Sequence, residues 1–211
     1  MSFEVTNIPL GPMANNAILL TDTDSLETII VDPTFDIHRA ITEMVGKGYK
    51  PVSVWLTHAH FDHVIGAIEL ANRYPGIEIA LHPADEHLYS SGGGAANFGI
   101  DLPSFPKPTR WFVSGEIIDF HGTKIEIRHA PGHSPGHVLL YIPSVSTLIS
   151  GDVIFNMGIG RTDLDGGDPN LLLQNIYKQV FTLPDETKIL PGHGPETTVG
   201  FEKQNNPWLA P

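Results

Sequence analysis

Short apolar runs separated by turn residues occupy both ends of the chain and predict β-strands. The runs consist of aliphatic and β-branched residues, and Gly, Pro, Asp and Asn fill the segments between them. The predicted strands are residues 3–9, 17–21, 28–31, 52–57, 77–81, 117–120, 124–129, 138–142, 147–149 and 187–190.

Helical periodicity appears in three segments between these strands. In residues 36–47 the apolar positions Ile37, Ala40, Ile41, Met44 and Val45 recur at the spacing of one buried helix face. The other predicted helices are residues 62–74 and 170–181, the second with Leu172, Leu173, Ile176 and Val180 as its buried stripe, and a helical turn is predicted at 83–88.

The segment 90–108 shows no period and is rich in Gly and Pro. It is either a surface loop or a mobile flap over a functional site, and the pattern does not choose between them. No linker divides the chain, so we predict one mixed α/β domain over residues 1–211.

Composition and charge narrow the possible partners. The formal net charge is −12, with 24 acidic against 12 basic residues, which disfavours nucleic acid because phosphate backbones are bound mainly by Lys and Arg. No apolar stretch approaches the roughly 20 residues of a membrane-spanning helix, and the N-terminus lacks a signal-peptide pattern. We therefore expect a soluble, cytoplasmic protein without a membrane partner.

The chain has no cysteine but 11 histidines, so any metal site must use imidazole and carboxylate ligands. The densest group is His58-Ala59-His60-Phe61-Asp62-His63. In an extended segment the side chains at i and i+2 point the same way, so His58 and His60 can bind one ion. A helix beginning near Asp62 would turn Asp62 and His63 toward a neighbouring position.

Three further potential ligands each follow a predicted strand and a glycine-containing turn. They are His133 in Pro131-Gly132-His133, Asp152 in Ser150-Gly151-Asp152, and His193 in Pro191-Gly192-His193. One such triplet alone usually marks a plain turn. With the His58–His63 segment, four ligand-bearing segments in one chain each follow a strand, which indicates a common site at a sheet edge.

Five histidines and two carboxylates exceed what one tetrahedral ion can bind. Two divalent ions that share one carboxylate would use the whole set and leave room for water. We expect zinc first, and the same ligands would accept iron or manganese.

The remaining histidines are interpreted as surface or packing residues, with His129 open to either role. His137 lies four residues after His133, but Pro135-Gly136 between them prevents a helical pair. We predict that His137 supports the ligand loop from behind without binding metal.

Taken together, these stretches resemble the metallo-β-lactamase superfamily, and within it the short, single-domain glyoxalase-II-like hydroxyacylglutathione hydrolases. The resemblance runs from about residue 10 to residue 209. The sequences that carry it are Thr57 to His63, Ala130 to His137, Gly151 to Phe155, Gly158 to Asp163 and Pro191 to Pro195.

The resemblance implies an αββα four-layer sandwich and assigns the ligands. One metal would be held by His58, His60 and His133, the other by Asp62, His63 and His193, with Asp152 as the bridge. The implied reaction is hydrolysis of a glutathione thioester, typically lactoylglutathione, by a metal-bridging hydroxide, with Asp62 and Asp152 as the catalytic carboxylates.

Two departures from the longer glyoxalase II enzymes concern glutathione. Only 18 residues (211 minus 193) follow the last ligand, where those enzymes carry a helical domain. Arg161 keeps a cation where they have a lysine and is our candidate for binding a substrate carboxylate. A surface salt bridge is an equally good interpretation of Arg161. Asp163 replaces their tyrosine.

Three rival functions follow from the same residues. Persulfide dioxygenases of the superfamily use a single iron and would not need Asp62, His63 and His193 as ligands. A lactonase or β-lactamase would use the same ligand set on another substrate. A non-catalytic metal-binding module is the remaining alternative.

Overall fold

The computed structural model describes residues 3–209. The chain divides into two compact units between Trp111 and Phe112. The prediction of one domain over residues 1–211 stays a prediction.

The first unit is built on a six-stranded sheet with the strands in sequence order. Strands β1 to β3 pair antiparallel, and β3 to β6 pair parallel. The strands are β1 (Phe3–Leu10), β2 (Asn15–Asp22), β3 (Glu27–Val31), β4 (Lys50–Trp55), β5 (Glu78–Leu81) and β6 (Arg110–Trp111).

Helical segments connect the parallel strands of this unit, because neighbouring parallel strands cannot be joined by a tight turn. They are α1 (Ile37–Gly46), α2 (Phe61–Val64), α3 (Ala67–Arg73), a 3₁₀ turn (Pro83–Asp85), α4 (Glu86–Ser90) and a second 3₁₀ turn (Ala95–Phe98).

Helix α1 packs its predicted apolar stripe into the core of the first unit. Ile37, Ala40, Ile41 and Met44 are all buried there. The prediction was wrong for Val45, which is 46% exposed. Val45 lies at the margin of the apolar stripe, where the buried face of the helix borders solvent.

The second unit contains another six-stranded sheet, in the order β14-β13-β10-β9-β8-β7, and a small hairpin of β11 and β12. Its core includes Leu139, Leu148, Leu172, Ile176 and Ile189. The strands are β7 (Ile117–Phe120), β8 (Thr123–His129), β9 (Val138–Ile142), β10 (Thr147–Gly151), β11 (Ile154–Phe155), β12 (Gly158–Ile159), β13 (Lys188–Pro191) and β14 (Thr197–Thr198). The helices are α5 (Pro169–Asn175), continued by a π-helical turn (Ile176–Val180), and α6 (Val199–Asn205).

Two predicted helices are interrupted. The helix expected over 62–74 is two short helices, α2 and α3, with a break at Gly66. The Gly66 backbone N–H donates to the Pro33 carbonyl (2.8 Å), which is a tertiary contact that no local sequence pattern predicts. In 170–181 the Phe181 N–H donates to the Ile176 carbonyl (3.0 Å), so the last turn is wider than an α-helix.

The segment 90–108 is held to the first unit by backbone and ring contacts. The Phe61 N–H donates to the Gly93 carbonyl (2.9 Å), and the Tyr89 hydroxyl donates to the Pro106 carbonyl (2.7 Å). Tyr89 also stacks on Phe105. The segment therefore has fixed attachment points, and its action as a flap stays untested.

Candidate metal centre

The four predicted ligands of the first unit lie just beyond the end of β4. After Trp55 the strand ends, the chain bends at Thr57 and His58, and it enters α2 at Phe61. All four ligand side chains are buried: His58, His60, Asp62 and His63. The ring centroids of His58 and His60 are 4.9 Å apart, and those of His58 and His63 are 4.2 Å apart. The prediction that this sequence gathers its side chains at one place is thus consistent with the geometry.

Asp32, at the end of β3, organises this group from behind. Its carboxylate accepts hydrogen bonds from the Thr57 N–H (2.7 Å) and the Thr57 hydroxyl (2.6 Å). It also accepts one from His63 Nδ1 (3.1 Å). One buried carboxylate therefore fixes both the backbone before His58 and the ring of His63.

These bonds determine which ring nitrogen can bind metal. A carboxylate only accepts, so His63 carries its proton on Nδ1 and has its lone pair on Nε2. The Thr57 hydroxyl proton is used toward Asp32, so its oxygen accepts from His58 Nδ1, 3.0 Å away. His58 therefore also has its lone pair on Nε2.

Asp62 lies next to His63 at a separation suited to a shared cation. Its Oδ2 accepts from the Asn15 amide (2.9 Å) and lies 3.5 Å from His63 Nε2. Two ligands of one tetrahedral ion, each about 2.1 Å from it, are about 3.3–3.5 Å apart. The Asn15 amide nitrogen, 3.4 Å from His63 Nε2, occupies the same neighbourhood.

The three predicted ligands of the second unit meet at one carboxylate oxygen. Oδ2 of Asp152 lies 3.6 Å from His133 Nε2 and 3.6 Å from His193 Nε2. Both separations are longer than a hydrogen bond and close to the distance between two ligand atoms of one tetrahedral metal ion. Asp152 and His133 are buried, whereas the side chain of His193 is 27% exposed.

His133 and His137 are oriented in opposite ways. His133 Nδ1 donates to the Arg161 carbonyl (2.8 Å), which leaves the lone pair on Nε2 toward Asp152. His137 Nε2 instead accepts the backbone N–H of Asp152 (3.0 Å), so its lone pair is already used. His137 thus holds the loop that carries Asp152. His129, by contrast, contacts the Pro135 carbonyl (2.9 Å).

Two glycines beside these ligands allow close backbone packing. Gly132 has φ +135°, and a Cβ there would lie 2.3 Å from the Leu172 nitrogen. A Cβ on Gly160 would lie 1.9 Å from the Asp152 carbonyl oxygen and 3.1 Å from His133 Nδ1. A larger residue at either position would displace the ligand loops.

Arg161 forms a bidentate ion pair with Asp163. The guanidinium Nε and Nη2 each donate to one carboxylate oxygen at 2.7 Å, and both side chains are at least half exposed. The hydrogen bonds from Arg161 lower the pKa of Asp163 to about 2. The pair therefore stays ionised from mildly acidic pH upward.

Sequence reasoning missed the residues that support the ligands. Asp32 directly follows an apolar strand, as the predicted ligands of the second unit do after their turns. The same sequence pattern could therefore have identified Asp32. Asp85 is fully buried and accepts the Ala59 N–H (2.9 Å), and Asn15 bonds to Asp62. Nothing in the local pattern distinguished these two.

The donor atoms fit a divalent transition metal. In the first unit Asp62 Oδ2 lies 3.5 Å from His63 Nε2, and the second unit gathers His133, Asp152 and His193. The donors are buried imidazole nitrogens, with lone pairs on Nε2 where a bond fixes the tautomer, and carboxylate oxygens; zinc, iron and manganese all accept these ligands. Arg161 is near His133 through its backbone, and its side chain is directed to Asp163.

Across residues 3–209, every helix is too short or too polar to cross a membrane.

Comparison with known proteins identifies the family. Residues 10–193 match the metallo-beta-lactamase superfamily. The chain is 39% identical over 209 residues to the probable metallo-hydrolase YqgX of Bacillus subtilis, covering 96% of this chain and 95% of that protein. It is 36% identical over 212 residues to the hydroxyacylglutathione hydrolase GloC of Haemophilus influenzae, covering 99% and 98%.

Solved structures show the same fold. The structure of BLEG-1 B3 metallo-beta-lactamase has a TM-score of 0.92 at 34% identity, covering 99% of this chain and 100% of that one. TTHA1623 in a di-iron-bound form has a TM-score of 0.87 at 36% identity, covering 97% and 100%. The predicted α/β class and fold type are thereby confirmed, and the chain belongs to the metallo-β-lactamase superfamily of metal-dependent hydrolases.

Proposed function

We propose that this protein is a dinuclear-metal hydrolase of thioesters, with hydroxyacylglutathione as its substrate. In this proposal the seven predicted ligands would hold two ions, and Asp152 would contribute to both. His58, His60 and His133 would hold one ion, and Asp62, His63 and His193 would hold the other. Zinc is the metal we expect, and iron is supported by the di-iron-bound relative at 36% identity.

The observation that carries this proposal is the position of Asp152 Oδ2. It is equally distant, at 3.6 Å, from the Nε2 atoms of His133 and His193. In the proposed assignment these histidines belong to different ions, so a carboxylate between them is placed to bridge. The thioester substrate is supported by the relative named hydroxyacylglutathione hydrolase, which aligns with 99% of this chain.

When bound, a pair of divalent cations polarises a substrate carbonyl and lowers the pKa of water to near neutrality. Asp62, whose carboxylate accepts from the Asn15 amide, would orient the attacking water. Asp32 and Thr57 keep the imidazoles of His58 and His63 fixed during turnover. As the water oxygen bonds to the carbonyl carbon and its protons are released to solvent, the carbon–sulfur bond breaks with its electron pair going to sulfur. The thiolate leaves without a strong general acid because thiols are moderately acidic.

Arg161 is the proposed partner of a carboxylate on the thiol carrier. A guanidinium binds a carboxylate through two parallel hydrogen bonds. Asp163 already occupies that arrangement, so a carrier carboxylate would have to compete with it.

The test is a thioester panel on metal-analysed protein, comparing wild type with Asp152→Ala. We expect the substitution to lower bound metal and to reduce kcat/KM by about 100-fold or more, since even residues behind a ligand contribute 10- to 100-fold. Asp165→Ala, an exposed carboxylate in the same unit, is the matched control and should behave as wild type. Unchanged metal content and turnover in Asp152→Ala would refute the bridging role.

β-Lactam hydrolysis is the second candidate, favoured by the 34% identity to a B3 metallo-beta-lactamase over nearly the whole chain. The same metal centre would serve a lactam carbonyl. A cephalosporin belongs in the panel. If its kcat/KM exceeds that of every thioester, β-lactam hydrolysis becomes the first candidate function and thioester hydrolysis the second. A persulfide dioxygenase would instead consume oxygen with glutathione persulfide and bind one iron.

A further inference from the structure

A cavity of about 410 Å³ lies in the first unit, where the loop after β3, the start of α1 and the segment from the α2–α3 break into α3 meet. Pro103 of the 90–108 segment also lines it, and none of the seven proposed metal ligands does. Cavities that bind small molecules commonly measure about 300–1,000 Å³. This cavity is therefore large enough for a small organic ligand and separate from the proposed ligand set.

Tertiary contacts around Gly66 hold the walls of the cavity together. The Gly66 N–H donates to the Pro33 carbonyl at 2.8 Å. A Cβ on Gly66 would lie 2.7 Å from the Thr34 carbonyl oxygen and 2.9 Å from Ile37 Cβ. The loop, α1 and the helix break are thus closely packed on one another, and the cavity is a preformed feature of the folded unit.

Apolar side chains make up half of the lining. They are contributed by Phe35, Ile37, Ile65, Ile68 and Pro103. Such a lining favours a ligand with an apolar body, because transfer of apolar surface from water into it is favourable.

The polar side chains of the lining share one feature, which is that none has a partner. Thr34, Asp36, Glu69 and Asn72 make no side-chain hydrogen bond or ion pair with any residue in the range 3–209. Thr34 is the informative case, because its side chain is completely buried. A buried hydroxyl without a partner destabilises the folded state, and a ligand that bonds to it would recover that free energy.

The charge of the lining is negative. Asp36 directly precedes α1, where an aspartate usually accepts an N–H of the first turn, but its side chain makes no such bond. Glu69 is half-buried. The described residues of the lining include no Lys, Arg or His. Carboxylates only accept hydrogen bonds, so the cavity suits a group that carries donors and a positive charge.

We propose that this cavity binds an organic ammonium ion with an apolar body. Glu69 and Asp36 supply the opposite charge, and the Thr34 hydroxyl accepts one of the ammonium hydrogens. The site is independent of the proposed metal centre and of the proposed hydrolase activity.

The test is calorimetric titration of the full chain with 2-phenylethylammonium as the probe. We expect it to bind at least about tenfold more tightly than 2-phenylethanol, which has the same body without the charge. It should exceed methylammonium by a similar factor, because methylammonium lacks the apolar body. Equal affinity for the ammonium ion and the alcohol would overturn the proposal.

Two variants assign the binding to this cavity. Glu69→Gln should weaken binding of 2-phenylethylammonium about tenfold, and Thr34→Val about fivefold. Glu86→Gln, an exposed carboxylate in the same unit, is the matched control and should bind as wild type. Wild-type affinity in either Glu69→Gln or Thr34→Val would contradict the site.

Thr34→Val also separates ligand binding from a structural role. It removes an unpartnered hydroxyl with little change of shape, so the free energy of unfolding of the ligand-free protein should stay the same or increase. A marked loss of stability would mean that the hydroxyl serves the fold and not a ligand.

Asp152→Ala distinguishes this cavity from the proposed metal centre, since an amine can also bind a metal ion. We expect it to bind 2-phenylethylammonium as tightly as wild type, whatever its activity toward thioesters. Loss of probe binding in Asp152→Ala would place the amine at the metals and refute the cavity as its site.

Discussion

At the scale of single residues, the centre depends on which nitrogen of each imidazole carries its proton. The carboxylate of Asp32 and the hydroxyl of Thr57 place the protons of His63 and His58 on Nδ1. The Arg161 carbonyl does the same for His133. These acceptors prepare Nε2 lone pairs before any metal arrives, so little reorganisation opposes binding.

Asp32→Asn tests this arrangement with almost no change in volume. The new amide can donate to His63 Nδ1, which moves the ring proton to Nε2 and removes the lone pair needed for metal. We expect metal affinity to fall about 10- to 100-fold, measured by competition with a chromophoric chelator.

Asp24→Asn, an exposed carboxylate in the same unit, is the control for loss of charge alone. Circular dichroism should show that both variants keep their secondary structure. Wild-type affinity in Asp32→Asn would mean that Asp32 does not set the His63 tautomer.

At the scale of elements, the ten longer strands were predicted, whereas the two-residue strands β6, β11, β12 and β14, helix α6 and the helix breaks were not. Strand ends deliver every proposed ligand in the second unit, and that pattern is visible in the sequence as an apolar run followed by glycine. The break between α2 and α3 has another origin. A Cβ on Gly66 would lie 2.7 Å from the Thr34 carbonyl, 2.8 Å from the Pro33 carbonyl and 2.9 Å from Ile37 Cβ. Such contacts arise only when the loop after β3 is folded against the helix.

Gly66→Ala and Gly46→Ala make opposite predictions from the same chemical change. At Gly46, the last residue of α1, helix propensity favours alanine by up to about 1 kcal/mol, whereas Gly66 lies outside both α2 and α3 and has no such gain. At Gly66 the backbone oxygens cannot yield as a flexible side chain would, so we expect a net loss of about 1–3 kcal/mol. At Gly46 a Cβ would meet nothing within 4 Å, so we expect no loss or a small gain.

Urea unfolding followed by circular dichroism measures both changes in the free energy of unfolding. Equal effects at the two positions would show that the close contacts with Pro33 and Thr34 do not govern the effect of the Gly66 substitution.

At the scale of the whole molecule, the sequence was sufficient for the family and for the ligand candidates, because both reside in short stretches with unusual composition. His58 to His63 needs only local spacing to be noticed. The supporting residues Asn15 and Asp85 lie 47 and 26 positions from the groups they contact, namely Asp62 and Ala59. Single polar residues at such distances carry no periodic signal, so their roles require the folded backbone.

Metal binding should also stabilise the fold, because the gathered ligands bind ions in the folded state and are dispersed in the unfolded chain. At free metal about 1,000 times the dissociation constant, the gain is about 4 kcal/mol. For a chain of this size that corresponds to an increase in Tm of about 8–16 °C.

Scanning calorimetry of chelator-treated and zinc-loaded protein measures this difference, with metal content determined on the same samples. Asp152→Ala should show a much smaller difference, since it removes the oxygen that both His133 and His193 approach. Magnesium should not replace zinc, because it prefers oxygen ligands in octahedral geometry and most of these donors are imidazoles. Equal Tm values for metal-free and zinc-loaded wild type would mean that the ligands do not bind an ion together, and the hydrolase proposal would then lose its structural basis.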